Sequence, residues 1–568
     1  MNKYAKRLIK YGVKNYKRYM IIIFLLGIIS IAFGSLNPFF LQYLIDEIIS
    51  LQKINILPYF LFFLIGVVAL ERLFNYFFNT YHRKVNFLTI KNEQIKLYNK
   101  IQNSKFVEYS KIDSGDIMSR LLSDIDENAY TMALVLPTMI FNFLWLVVMS
   151  LILIYLSWQL FLIVFVSLPF YWIIIRSSQL KLQNYSKNER ESFGKLTSSI
   201  KEKLDGQLVI RILGKEKYFL NSISNDATNW SERATKVGIF QITILNIAYF
   251  INYITPVIIL GIGGLFAIRG NMSLGTLIAF YSFVPWIYEP ISIINENFVQ
   301  IHRAEPLSQR FFEILDLPEE ESDGIYSFPK NYDIKYNKVS FTYKDELVLK
   351  DINLYIDKNE KIAIVGTSGS GKSTMMNLLV RLYDPTSGEI LLEDKNLKEY
   401  NLQEIREHIK LVRGNDPLFN MSVKENIMLG DEFSDQEFNK AVKKAKVDKF
   451  INLLDEGYDT IVGERGSKLS DGQRQRVAIA RALIRNPKVL ILDEATSGVD
   501  SQTEEEIFEE LKEYDMTLII ISHRLSTIRK ADKVVVLKDG EIIGEGTHNE
   551  LIESSPVYKE IIESQLVV

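Results

Sequence analysis

In KIAIVGTSGSGKSTMMNLL, residues 361–379, the spacing of Gly366, Gly371, Lys372 and Ser373 fits one chemistry. A glycine-rich turn between a strand and a helix aims successive backbone N–H groups at an anion, and the helix N-terminus adds partial positive charge. A lysine there supplies a point charge, and the hydroxyl after it can ligate Mg²⁺. The apolar run before Gly366 and the helical pattern after Thr374 give the strand–loop–helix context that a phosphate-binding P-loop requires. Gly366, Thr367, Ser368, Gly369, Ser370, Gly371, Lys372, Ser373 and Thr374 are therefore expected to cradle the phosphates of a nucleoside triphosphate.

A second apolar run, Val489-Leu490-Ile491-Leu492, ends in Asp493-Glu494. An aspartate at the carboxyl end of a buried strand reaches the metal shell beside Ser373, and the next acid is placed to polarise water against the γ-phosphate. Behind a P-loop this acid pair makes Asp493 a metal ligand and Glu494 the catalytic group.

The elements that must position these residues occupy less than half of the chain. At 568 residues the chain exceeds one ordinary domain of about 150 residues. Residues up to about 300 hold long uncharged runs, whereas those after about 330 alternate short apolar and charged stretches as a soluble α/β domain does. A net charge of −3 gives no field for nucleic acid, which is not expected as a partner. The absence of cysteine excludes disulfides, thiolate metal sites and a thiol nucleophile, and the five histidines lack metal-ligand spacing.

A hydrocarbon core takes about twenty apolar residues per helix. Six spans meet this, at roughly 20–44, 57–79, 130–155, 158–176, 237–268 and 273–295, the last carrying Pro285 and Pro290. Segments 83–128 and 176–236 carry 8 and 12 lysines and arginines, against at most 1 in each of 45–56, 157–159 and 269–272, so the long segments and both termini are cytoplasmic. The long segments hold few glycines or prolines and are expected as helices continuing below the membrane. Tyr4, Leu8 and Tyr11 share a stripe flanked by lysines, which predicts an interfacial helix on an anionic membrane face, with Gly12 weakening it. Glu71, Arg72 and Glu289 are charges inside spans, and two readings stand: Glu71 and Glu289 line a cavity for a cationic or zwitterionic amphiphile, or they pair with Arg72 or with interfacial water. Residues 316–330, rich in proline, glycine and acids, form the expected linker between a domain at 1–315 and one at 331–568.

LSDGQRQRVAIARAL, Leu469–Leu483, just before the second acidic strand, closely resembles the signature helix of ATP-binding-cassette (ABC) proteins, with Asp471 where glycine is common. Tyr343 in VSFTY resembles the adenine-stacking aromatic, Ser497-Gly498-Val499-Asp500 the D-loop, and Ser522-His523 the switch histidine; 460–466 and GTHNEL, 546–551, match further segments. Ser114–Asp126 resembles the first cytoplasmic loop and its coupling helix, Glu202–Lys217 the second loop, and Leu274–Phe283 the last span of the exporter fold.

The resemblance implies a half-transporter: an all-α six-helix exporter-type transmembrane domain fused to an α/β P-loop ATPase, in a bacterial plasma membrane, using ATP and Mg²⁺. It also implies a dimer, with itself or a paralogue, in which Ser470, Gly472 and Gln473 meet the partner's ATP while Glu494 and His523 act beside the chain's own P-loop, with Asp500 a further nucleotide-binding residue. The implied activity is export of an amphipathic lipid, drug or peptide; an exporter-fold importer and an ATP-gated channel are the competing readings. Intact Glu494 and His523 argue for turnover. In LVRGNDPLFNMS, residues 411–422, the family carries a glutamine that touches Mg²⁺ and the attacking water; here Gly414 holds that position and Asn415 is the nearest amide. Either Gly414 lets Asn415 or a water substitute, or part of the metal sensing is lost.

Overall fold

The computed structural model describes residues 2–321, 324–343, 346–522 and 524–566. The chain divides into two units, Met1–Gln102 with Ile112–Leu317, and Asn103–Lys111 with Pro318–Val568.

The first unit is helical. Among the described residues six helices are long and apolar enough to cross a membrane: Lys3–Ile49, Leu57–Gln102, Val135–Leu156, Trp158–Asp205, Glu216–Ile268 and Leu274–Leu315. The 46 residues of Leu57–Gln102 extend roughly 70 Å at 1.5 Å per residue, more than twice a hydrocarbon core of about 30 Å, so the polar halves of such helices stand in water. Ser157 and Ser273 set two helix starts, their side chains accepting from the N–H groups of Leu160 and Thr276 at 3.4 and 3.0 Å. Asp46 accepts from the N–H of Gly275 at 2.9 Å and from the Ser273 hydroxyl, so the end of the first helix caps the start of the last. Pro285 converts the last span into a 3₁₀ turn over Val284–Ile287. Beside it Tyr288 Oη donates to Thr255 Oγ1 at 3.0 Å and shares a hydrogen bond with Ser167 Oγ at 2.6 Å, joining three helices through polar contacts that lipid cannot supply.

The N-terminus differs from the interfacial helix expected for it. Lys3–Gly34 is one continuous helix, and Leu8 is buried with Leu97, Met132, Phe311 and Phe312 rather than laid on a membrane face. Tyr11 donates to Glu93 at 2.8 Å and Tyr16 to the same carboxylate at 2.7 Å. Gly12 serves close approach: a Cβ there would lie 2.0 Å from the Met132 carbonyl oxygen. Three of the four charges of Ser114–Asp126 are likewise used inside this unit, Arg120 pairing with Asp116 and Glu313, and Arg310 with Asp124.

The segment of the first loop that packs with the second unit lies earlier, at Asn103–Lys111. Its short helix Phe106–Tyr109 sets Phe106 edge-on to Tyr383 with centroids 5.7 Å apart, while the Lys105 N–H donates to Pro318 O at 2.9 Å. Arg406 grips Glu320 with two bonds, of 2.7 and 2.9 Å, and holds the start of the expected linker.

Two sheets build the second unit. In chain order its strands are β1 (Ile334–Tyr343), β2 (Glu346–Ile356), β3 (Lys361–Gly366), β4 (Ser387–Leu392), β5 (Lys395–Asn396), β6 (Ile409–Arg413), β7 (Val489–Asp493), β8 (Thr517–Ile521), β9 (Lys533–Lys538) and β10 (Glu541–Gly546). The smaller, antiparallel sheet has the order β2-β1-β4-β5 and the larger β10-β9-β3-β8-β7-β6, parallel from β9 to β6. Every residue of β3, β7 and β8 is buried, which is why they read as unbroken apolar runs. Val489, Leu490, Ile491 and Leu492 each contribute about 1.5–3 kcal/mol by burial, fixing the strand that carries the acid pair. The carboxyl ends of β3, β6, β7 and β8 share one edge, where ligands of such sheets bind.

Gly12→Ala is expected to lower the unfolding temperature in detergent, because overpacking of this kind costs about 1–3 kcal/mol. Gly66→Ala, whose added methyl meets nothing within 4 Å, is expected to leave it unchanged. Equal thermal shifts for the two variants would count against the close helix contact.

Candidate functional site

β3 delivers the chain into the glycine loop at Gly366, where a Cβ would lie 2.1 Å from the Leu537 carbonyl oxygen of β9. Gly369 and Gly371 have φ of +79° and +102°, conformations that L side chains rarely adopt. Gly371 then caps the helix Lys372–Leu379. Thr367, Ser368 and Gly369 are exposed, Ser373 is exposed on the first turn, and Ser370 and Thr374 are buried. The Ser370 hydroxyl, enclosed by the loop, has no hydrogen-bond partner. Lys372 Nζ donates to the carbonyls of Gly366 and Thr367, both at 2.9 Å. Burial pushes its pKa down, while Glu494 and Asp493 oppose that shift.

Asp493 ends β7 beside Arg413 of β6 and Ile521 of β8. Burial pushes its carboxyl up, and the Ser373 hydroxyl, hydrogen-bonded to it, pulls it back. The structure therefore brings the two sequence-predicted metal ligands together. They supply one carboxylate and one hydroxyl, hard oxygen donors, and among the described residues no group of three or more acids or histidines is placed to hold a metal alone. That donor set fits Mg²⁺, which binds through one or two carboxylates plus substrate phosphates and keeps several waters.

Glu494 follows with φ +53°, left-handed for a residue that has a Cβ. Its N–H donates to Ile521 O at 3.0 Å and its carbonyl accepts from Ser497 N–H at 3.1 Å. Gly414 lies against it. The Gly414 N–H donates to Asp493 O at 2.9 Å, and a Cβ at 414 would stand 2.6 Å from the Glu494 carbonyl oxygen. Asn415, one residue on, is exposed and lines the same cleft of about 670 Å³ as Ser373, Asp493, Glu494 and Asp471.

The signature segment forms the helix Asp471–Leu483. Ser470 caps it and Gln473 closes the capping box, with bonds of 3.3 and 2.9 Å, so both are engaged in holding the helix start. Asp471 pairs with Arg474. Gly472 is required by packing: a Cβ would lie 2.5 Å from Gly498 O. Asp500 caps the next helix, Ser501–Lys512, and the backbone N–H of Thr503 holds its carboxyl below the usual range. Tyr343 ends β1 in edge-on contact with Phe341 and Tyr383, centroids 4.7 and 5.2 Å away. His523 lies outside the described residues.

In the helical unit Glu71 is 7% exposed and accepts from Asn37 Nδ2 at 3.1 Å, whereas Arg72 and Glu289 are exposed. Asn37 is thus the polar partner that the charge pattern alone did not identify.

Two buried residues around the site also escape the motif reading. Gln475, 5% exposed, donates to Gly414 O and Ser497 Oγ, each at 3.1 Å, and accepts from Gly498 N–H at 2.8 Å. Glu504 accepts from Thr496 and Thr527 hydroxyls at 3.1 and 2.9 Å and pairs with Arg524, whose other nitrogen donates to Ser497 O at 3.2 Å. The available signal for Gln475 is its position four residues before Ile479 and three before Ala478, a polar side chain on the buried face of its helix.

Comparison with known proteins agrees with this geometry. Residues 20–291 match the family described as ABC transporter transmembrane region, and residues 349–497 match ABC transporter. An ATP-dependent lipid A-core flippase of Photobacterium profundum is 34% identical over 89% of this chain and 88% of its own length. A Staphylococcus aureus ATP-binding/permease protein whose name assigns it to multidrug export is 32% identical over 97% of this chain and 98% of its own. The solved structure of a bacterial Atm1-family ABC exporter with ATP bound superposes with a TM-score of 0.79 over 97% of this chain and 98% of that one, at 23% identity, and so shares the fold. With six apolar helices in one unit and a nucleotide-binding sheet in the other, the chain belongs to the ABC transporters, as a half-transporter whose ATPase is coupled to transport.

Proposed function

We propose that the protein exports an amphipathic molecule (a lipid, a hydrophobic drug or a peptide) by alternating access, as a dimer of half-transporters. The observation that carries this reading is the cleft in which Ser373, Asp493 and Glu494 meet at the carboxyl edge of the sheet, in a chain that also holds six membrane-length helices. The lipid A-core flippase and multidrug names of its relatives support export of amphiphiles, and the lysine-rich long segments support cytoplasmic placement of the ATPase in a bacterial plasma membrane.

In this reading the loop N–H groups and Lys372 hold the triphosphate, Ser373 and Asp493 would hold Mg²⁺, and Glu494 orients and polarises the attacking water. Bound Mg²⁺ supplies charge neutralisation at the phosphates. Ser470, Gly472, Gln473 and Asp500 act at the dimer interface around ATP, Tyr343 stacks on adenine and His523 senses the γ-phosphate. ATP drives the cycle because it binds the closed cassette pair better than the open one, and hydrolysis removes that difference. Exposed Glu289 is the candidate for the substrate cavity, with Arg72 at similar depth, while Glu71, buried on Asn37, would reach it only if that contact opens.

Support for assembly comes from the foot of the second long loop. On and beside the helix Gln207–Ile212, Leu208 is 72% and Ile212 73% exposed, with Leu204, Val209 and Leu213 also exposed, a contiguous apolar tip on the polar side of the helices. A patch of that kind marks an interaction surface. A partner subunit's cassette is its proposed cover.

Gly414 enters this reading as a packing residue. Its N–H and carbonyl are both bonded, and the space a side chain would take holds the Glu494 backbone. That favours Asn415 or a water in the role of the family glutamine.

Glu494→Gln is expected to retain ATP binding and lose turnover by about 100-fold or more, measured as phosphate release in nanodiscs, as for removal of a catalytic base. Sustained hydrolysis by that variant would remove Glu494 from its role. Gly414→Gln is expected to lower kcat about tenfold, since the new side chain must displace the Glu494 carbonyl; a faster enzyme would show that the lost amide matters more than the packing. Ile212→Asp together with Leu208→Asp is expected to break the assembly, read as a halved mass by light scattering with loss of substrate-stimulated ATPase.

A further inference from the structure

We propose that Gln475 is a positioning residue for ATP hydrolysis: its carboxamide ties the loop around Gly414 to the loop Ser497-Gly498, and through both it fixes the backbone of Glu494. The proposal rests on the reading of Glu494 given above.

The left-handed backbone at Glu494 is the starting point. A residue with a Cβ costs about 1–3 kcal/mol in such a conformation, which persists only where neighbours over-determine it. Its amide is held from the β8 side, by Ile521 O. Its carbonyl is held from two other directions. Ser497 N–H donates to it at 3.1 Å, and the bare Cα of Gly414 packs against it, a contact that a Cβ would bring to 2.6 Å. Neither flank belongs to a regular ladder at that point: β6 ends at Arg413, and Ser497-Gly498 is a turn before the helix Ser501–Lys512. Both need a tether.

Gln475 supplies it with every polar atom it has. Its two N–H bonds go to Gly414 O and Ser497 Oγ, and its oxygen receives the Gly498 N–H, so one buried side chain bonds both flanks of Glu494. Glycines at 414, 472 and 498 let the three backbones close around it. A Cβ at 472 would lie 2.5 Å from Gly498 O, and one at 498 would lie 2.9 Å from Asp471 Cβ. The amide must be this way round. Gly414 offers a carbonyl, which needs a donor, and Gly498 offers an N–H, which needs an acceptor. Because an error of about 1 Å in the placement of a catalytic group costs about 100-fold in rate, the tether acts on kcat. Nucleotide affinity is set elsewhere, by the loop Gly366–Gly371 and Lys372.

The test uses the full-length protein in nanodiscs, with Gln475→Leu, Gln475→Glu and Glu494→Gln measured together. Gln475→Leu is expected to lower kcat about tenfold or more, with KM for ATP within about twofold and the unfolding temperature within a few degrees of the parent. Gln475→Glu is expected to be slow at pH 8 and to regain rate relative to the parent as pH falls toward 6. A buried carboxyl titrates upward into about that range and, once protonated, can again donate to Gly414 O. An unchanged kcat in Gln475→Leu, or a loss matched by equal losses of affinity and stability, would overturn the proposal. So would a Gln475→Glu to parent ratio that is flat with pH, a readout that a purely structural role does not move. Turnover by Glu494→Gln would instead overturn the assignment of Glu494, leaving the two failures distinct.

Discussion

The ATP site depends on how closely the backbone of Asp493–Gly498 is packed by the segments beside it. Lys372 and the glycine loop can hold phosphates by themselves, since their donors come from one continuous strand–loop–helix unit. Glu494 is not held by one such unit alone. It stands one residue past the end of β7 in a left-handed conformation, and its backbone is held by Ser497, three residues on, and by Ile521 and Gly414 from segments distant in sequence. Conformational strain at a reactive group is retained only where the surroundings impose it, and here they do so through backbone contact at glycines.

The helical unit meets a different constraint with the same economy of polar atoms. Inside an apolar bundle there is little hydrophobic gain from bringing helix to helix, so association rests on close packing and on hydrogen bonds that lipid cannot offer. Tyr288 with Thr255 and Ser167, Glu71 with Asn37, and Asp46 at the cap of the last span are such contacts. Below the spans, where water competes, the unit changes to charged pairs among Asp116, Arg120, Asp124, Arg310 and Glu313 around the end of the last helix. The polar extensions thereby gain a core and an ion-pair network of their own.

What the sequence made legible follows from the range of each interaction. The P-loop is local: its glycines, lysine and serine are fixed in spacing by one turn, so residue order alone reveals it. The six apolar helices are legible because lipid imposes a length, and β3 and β7 because burial on both faces removes most polar residues from the run. The N-terminal helix departs from the interfacial one its stripe predicts because the fate of Leu8 and Gly12 is decided by Met132, Phe311 and Phe312, more than a hundred residues away. The motif points to Ser114–Asp126 for the first loop and its coupling helix, but Asp116, Arg120 and Asp124 of that stretch pair within the helical unit, and Asn103–Lys111 is the stretch that packs in the cassette's unit. Gln475 lay in plain view inside the signature helix; only the fold shows that its partners are the carbonyl of Gly414 and the amide of Gly498.

Gly414 then has a physical account that its type alone does not provide. A glutamine at that position offers reach, a carboxamide able to touch ligands several ångströms from the backbone. A glycine offers approach, letting the loop's own backbone lie against Glu494. The two uses exclude each other, because the Cβ that begins any side chain already collides with the Glu494 carbonyl. In this chain the carboxamide is instead on the neighbouring helix, at Gln475, with its donors turned toward the loop and not toward the cleft's ligand. The loop is thus held through its bonded backbone at Gly414. These bonds link the loop, the signature helix and the backbone of Glu494 mechanically.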